Sequence, residues 1–184
     1  QLTEPTGGMT AAVPPGHDVT ITRDSGSGYA MGADGVAGGV YARLLSATYE
    51  VDAAEMAAAV AATSEGYLTL KITYDPDEIA LLGAVEETLR PYWWDGSQEQ
   101  WVLGGTTPGG MMGPSVDAGV NADPSAYGLG YCGVDTNDKY IWVNANHASR
   151  YGAGVVVIPE PATIVLLALS AAGLALCRRL RMRG

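Results

Sequence analysis

Leu68-Thr69-Leu70-Lys71-Ile72-Thr73-Tyr74 sets Leu68, Leu70, Ile72 and Tyr74 in alternation with Thr69, Lys71 and Thr73. Successive side chains of a strand point to opposite faces, so this period of two predicts a β-strand with one face in a core and one in water. The same alternation runs from Val40 to Tyr49, from Tyr140 to Asn146, where Ile141, Val143 and Ala145 share a face, and more briefly from Val19 to Thr22. Residues 88–94 and 100–103 flank Asp95-Gly96-Ser97, a turn signal that predicts a hairpin. Pro91 has no backbone N–H to give a ladder, which predicts that its arm lies at a sheet edge or a bulge. A last strand is expected over Ala153 to Ile158.

Two short helices have readable starts. In Asp75-Pro76-Asp77-Glu78 the Asp75 carboxylate can cap, Pro76 suits the first helical position, Glu78 stands at the capping-box spacing, and Gly83 can close the helix. Asp52-Ala53-Ala54-Glu55 repeats the spacing before an alanine-rich stretch that runs to Ala62. Both carboxylate pairs read as caps, not as catalytic acids. Gly and Pro crowd residues 23–39 and 104–130, which predicts two long loops. Short strands, frequent turn punctuation and few helices predict a mainly β fold: an antiparallel β-sandwich with one or two short helices and long Gly/Pro-rich loops. Residues 1–18 read as an exposed lead-in segment and 19–158 as one domain.

Residues 1–160 hold 20 acidic and 6 basic side chains, whereas residues 161–184 hold 4 basic and none acidic, for a net charge of −10 overall. A body this acidic repels nucleic acid and anionic lipid, so no nucleic-acid partner is expected. The two cysteines are Cys132 and Cys177. No CxxC or Cys/His spacing suggests zinc, and no metal or cofactor is expected. The chain opens at Gln1 without a basic region or an apolar core of a signal peptide. Either such a peptide has been removed or the chain is the C-terminal piece of something longer.

The C-terminal stretch is built differently. Pro159-Glu160-Pro161 precedes ATIVLLALSAAGLALC, 16 residues without a charge from Ala162 to Cys177, and then Arg178, Arg179, Arg181 and Arg183. As a helix the apolar run is about 24 Å long, short of a bilayer core of about 30 Å. Leu180 and Met182 extend the apolar face while the arginines snorkel, which predicts a transmembrane helix over 162–180. The arginine cluster places the C-terminus in the cytoplasm and residues 1–158 on the far side.

Pro-Glu-Pro, a short apolar helix and a terminal arginine cluster together resemble the PEP-CTERM sorting signal of Gram-negative bacteria that carry an exosortase. The resemblance implies an exosortase-type membrane transpeptidase as partner, with Pro159, Glu160 and Pro161 as its recognition element and Arg178, Arg179, Arg181 and Arg183 as the stop-transfer element. It implies anchoring in the inner membrane first, then a cell-surface or extracellular location after processing. The Trp-Asp-Gly and Gly-Val-Asp-Thr-Asn turns with the strands around them also look like the β-domain found beside such tails in exported bacterial proteins.

Four Trp and ten Tyr invite a carbohydrate-binding reading, because flat rings stack on sugar faces. Trp93, Trp94 and Trp101 around the hairpin are the candidate ligand platform, with extracellular polysaccharide as partner. Adjacent strand residues point opposite ways, so of Trp93 and Trp94 one is expected in the core and the other outside. His147 and Ser149 lack the oriented third group of a nucleophilic site, and no Gly-x-Ser-x-Gly elbow occurs. Asp135, Asn137, Asp138, Asn121 and Asp123 offer hard oxygens but not the spacing of an EF-hand, and Asn137-Asp138 reads most simply as a turn. The expectation is therefore a non-enzymatic exported surface or matrix protein with a structural or adhesion role. The alternatives are a carbohydrate-binding module, or the terminal domain of a larger secreted protein, and a permanent membrane component packing through Ser170, Ala171 and Gly173.

Overall fold

The computed structural model describes residues 8–24, 41–97, 99–104 and 116–157. The chain is mainly β. Among the described residues ten strands form two five-stranded sheets. The first sheet has the order β1-β4-β9-β8-β7, from Met9–Ala11 (β1), Leu68–Thr73 (β4), Tyr140–Ala145 (β9), Tyr131–Asp135 (β8) and Val116–Val120 (β7). The second has the order β2-β3-β10-β5-β6, from Ile21–Asp24 (β2), Tyr41–Val51 (β3), Arg150–Val157 (β10), Arg90–Asp95 (β5) and Gln100–Leu103 (β6). Every pairing is antiparallel except β7 with β8.

The alternating stretches supply the inner faces. Leu68, Leu70 and Ile72 of β4 and Ile141, Val143 and Ala145 of β9 share one core with Tyr49 and Val51 of β3, Trp93 of β5 and Tyr151, Ala153 and Val155 of β10. Each of these side chains is buried. On the outer face of the first sheet the buried Asn144 is satisfied on both sides of its amide. Its Oδ1 accepts from Thr69 Oγ1 at 2.8 Å and its Nδ2 donates to the Tyr127 carbonyl at 2.8 Å, as a buried polar group requires.

Both helices start where the sequence places them. Asp52 caps Ala53–Ala61 (α1) by accepting from the Glu55 N–H at 2.9 Å, and Met56 and Ala59 turn inward. Asp75 caps Pro76–Leu81 (α2), accepting from the Asp77 N–H. Glu55 accepts from the Thr20 N–H, tying α1 to the approach to β2, and the Asp75 cap is completed at Asp77, one residue before Glu78.

Four sequence expectations need amendment. Residues 9–11, inside the expected lead-in segment, form the edge strand β1, in register with Ile72, Lys71 and Leu70, and Met9 is buried. The expected loop 104–130 contains β7 and a 3-10 turn at Pro124–Ala126. The strand β8, hidden by its central Gly133, joins β7 to the sheet. Pro91 does not lie on an edge: β5 runs between β10 and β6. Its carbonyl accepts from Gly104 N at 2.7 Å, so its missing N–H faces the position just past the end of β6, where no ladder bond is lost from the sheet interior.

No helix among the described residues is long and apolar enough to cross a membrane. The expected span 162–180 lies outside the described residues, as does most of the expected loop 23–39.

Candidate functional site

The chain leaves the sandwich along β10, an inner strand of its sheet. It pairs with β3 on one side, from Arg150↔Glu50 to Val157↔Tyr41, and with β5 on the other, from Tyr151↔Trp93 to Gly154↔Arg90. Pro159 stands two residues beyond the last residue of this strand. Pro159, Glu160, Pro161, Arg178, Arg179, Arg181 and Arg183 themselves lie outside the described residues.

The pole from which β10 exits is held by charged and hydroxyl groups. Glu86, on the 3-10 turn Glu86–Thr88 that precedes β5, accepts from Lys139 Nζ at 2.7 Å and from the Tyr74 hydroxyl at 2.9 Å. The Lys139 hydrogen bond is the main reason that the Glu86 carboxyl is held below its ordinary range. Burial, then the bond to Glu86, pushes the Tyr74 phenol up. Arg90, at the start of β5, reaches Asp117 of β7 at 2.6 Å and joins the two sheets across this pole.

The oxygens considered for a cation are engaged in turns. Asp135 Oδ1 accepts from the N–H groups of Asn137 and Asp138 at 2.9 and 3.0 Å, Asn121 Oδ1 from the Thr136 N–H at 2.7 Å, and Asp123 Oδ1 from the Ser125 N–H at 3.0 Å. These backbone bonds hold the Asp135 and Asp123 carboxyls below the usual carboxylate range. Among the described residues no group of three or more His, Cys, Asp or Glu is placed to hold a metal ion.

The three tryptophans of the candidate platform are separated by the pleat. Trp93 faces the core at 2 % exposure, edge-on to the His147 ring at 4.8 Å. It has no face to offer a ligand. Trp94 faces the outer side of the second sheet and is half-buried. Trp101, its cross-strand partner, is on that same side but 4 % exposed, packed with Leu44 and Tyr92. The two rings meet edge-to-face at 5.7 Å and 64°. Trp94 alone of the three is open to a ligand.

Trp94 lines a cleft of about 290 Å³ with Glu50, Val51, Ala53, Ala148, Ser149 and Arg150. The cleft lies at the end of the sandwich where β10 begins, opposite the end where β10 leaves it. Seven residue steps along that strand separate the two ends by roughly 23 Å at about 3.3 Å per residue. Ser149 Oγ donates to the Trp94 carbonyl at 2.9 Å, so its hydroxyl proton is engaged with backbone. The His147 ring lies between Trp93 and Tyr151, whose hydroxyl donates to the His147 carbonyl at 2.8 Å. The polar pair Glu50 and Arg150 escapes a reading of the sequence because the residues stand far apart in the chain, and only the register of β3 with β10 sets them opposite each other.

No curated protein and no solved structure matches the chain. The family model of the PEP-CTERM protein-sorting motif matches residues 157–179, a span that opens on the last residue of β10 and takes in Pro159-Glu160-Pro161, the whole apolar run and the first two arginines. The motif implies export and exosortase processing at the membrane, and it marks the chain as a PEP-CTERM protein.

Proposed function

We propose that this protein is a non-enzymatic component of the cell surface or extracellular matrix, exported, held by its C-terminal helix in the inner membrane, and passed outward once an exosortase has acted on the tail. The observation that carries this reading is the abutment of motif and fold. The sorting motif opens on Val157, the last residue of the inner strand β10, so every registered strand pair is complete before Pro159. Trp94 stands near the start of β10, at the end opposite Val157, the arrangement that suits a domain whose working surface must face outward. The placement of His147 in a ring stack and of Ser149 on a backbone carbonyl favours structural roles for both.

Intact mass spectrometry of the protein from its native host, in membrane, surface and medium fractions with and without the exosortase, tests the proposal. The expected result is loss of the residues beyond the Pro159-Glu160-Pro161 region outside the inner membrane, dependent on the enzyme. An intact tail in every fraction would make the protein a single-pass membrane component and overturn the reading.

A second reading, carbohydrate binding, is favoured by one observation: a partly exposed tryptophan in a polar cleft at the end of the fold where β10 begins.

A further inference from the structure

We propose that the cleft formed by β3, β10 and the end of β5 binds one neutral sugar unit of an extracellular polysaccharide, with Trp94 as the stacking surface and Glu50 and Arg150 as partners for its hydroxyls. The proposal rests on the second reading above and gives it a site.

Size comes first. At about 290 Å³ the cleft sits at the lower end of small-molecule sites, which run from about 300 to 1,000 Å³. A dinucleotide or other large cofactor would not be enclosed, whereas one ring of a polymer can seat itself with its neighbours running out into solvent.

The aromatic surface is already ordered. Ser149 fixes the Trp94 backbone through its carbonyl, and the buried Trp101 braces the ring edge-to-face. Little side-chain freedom is left to lose on binding, which favours affinity from a single stacking contact. An indole face is apolar, and the C–H-bearing face of a pyranose is apolar as well, so their contact excludes water from both.

The polar partners are complementary to a diol. Glu50 Oε2 lies 3.6 Å from Arg150 Nη2, longer than a hydrogen bond though within ion-pair reach. The carboxylate only accepts and the guanidinium only donates. A sugar hydroxyl does both, so a vicinal pair can donate to Glu50 while accepting from Arg150. Charge then selects among saccharides. Within the cleft Glu50 offsets the charge of Arg150, and the body of the chain around it is strongly acidic, so a uronate or sulfated polymer meets repulsion that a neutral one does not.

The test is binding of the full-length chain in detergent to an array of neutral gluco-, galacto- and manno-oligosaccharides beside alginate oligomers, with affinities from titration of the hits. The expected result is binding to neutral members, at least tenfold weaker in Trp94→Ala, several-fold weaker in Glu50→Gln, and largely retained in Trp94→Phe. Circular dichroism of each variant checks the fold, and Glu50→Gln, at an exposed position, carries the test should Trp94→Ala fail to fold. Absence of binding to every neutral glycan, preference for alginate, or affinity unchanged in folded Trp94→Ala or Glu50→Gln would overturn the proposal. Its failure is separable from that of the carbohydrate reading, because preference for alginate, or neutral-glycan affinity unchanged in folded Trp94→Ala, overturns this site while leaving carbohydrate binding standing, whereas no binding to any member of the array overturns both.

Discussion

Lys139 and Glu86, 53 positions apart in the chain, meet at 2.7 Å and tie the β8–β9 turn to the 3-10 turn ahead of β5. The Lys139 bond, aided by Tyr74, depresses the Glu86 carboxyl below its ordinary value of 4.5. A carboxyl lowered in the folded state stabilises it fully above the unfolded value, and that stabilisation is lost as pH falls through the lower, folded value. Melting temperature should therefore drop below about pH 4.5, and Glu86→Gln should flatten that part of the curve. The side chains are 41 % and 25 % exposed, so solvent screening limits the loss in Glu86→Gln at neutral pH to about 1 kcal/mol. An acid limb identical in the variant and the parent would show that the pair does not contribute.

Two strand glycines are required by space, and they should differ in severity. A Cβ on Gly154 would lie 2.6 Å from a Tyr92 ring carbon, while one on Gly133 would lie 2.8 Å from the Gly119 carbonyl oxygen and 2.9 Å from Trp142 Nε1. The Tyr92 ring can give way at the cost of repacking Leu44 and Trp101, but the Gly119 oxygen belongs to the backbone of β7 and moves only with its strand. Gly154→Ala should cost about 1–3 kcal/mol, the usual range for overpacking, and Gly133→Ala more. Urea denaturation midpoints would rank them, and the reverse order would contradict the geometry.

These glycines also explain where the sequence is hard to read. The strands around Leu70 and Val143 have long alternating patterns and are legible at once, as are the Asp52 and Asp75 caps. In β8 Gly133 leaves only Cys132 and Val134 to mark a face, and the stretch from Gly133 reads as a turn, while β7 carries Gly119 at the shift in its parallel register with β8 and vanishes into a Gly-rich stretch that reads as loop. Met9–Ala11 is too short to show a period at all. Of the candidate platform, the opposite facing of Trp93 and Trp94 follows from the pleat. The burial of Trp101 and the approach of Glu50 to Arg150 depend on strand order and register, which no local pattern contains.

Cys132 offers a readout of the whole fold. Its thiol is 0 % exposed, and burial pushes its pKa up to about 12. Thiolate is the reactive form, so at pH 8 the folded chain should not be alkylated. In a Cys177→Ser background, iodoacetamide labelling should follow global unfolding and accelerate with urea in step with loss of circular dichroism. Fast labelling in native buffer would mean that β8 opens locally.

The position of β10 makes a last prediction about order of events. Ala153 and Val155 are buried, and the residues after Gly152 pair with Arg90 and Pro91 on one side and with Tyr41 to Leu44 on the other. A chain ending after Gly152 would lose an inner strand's end from the middle of a sheet, exposing core and orphaning ladder groups on two neighbours, and should not fold. A chain ending after Ile158 keeps every registered pair of β10 and should melt within about 2 °C of the full-length protein, a difference of under ~0.5 kcal/mol. Thermal unfolding of the two truncations by circular dichroism would check this. Equal loss of structure in both would mean that the residues beyond 158 are needed for folding. That result would remove the separation of folded body from sorting tail on which display after cleavage depends.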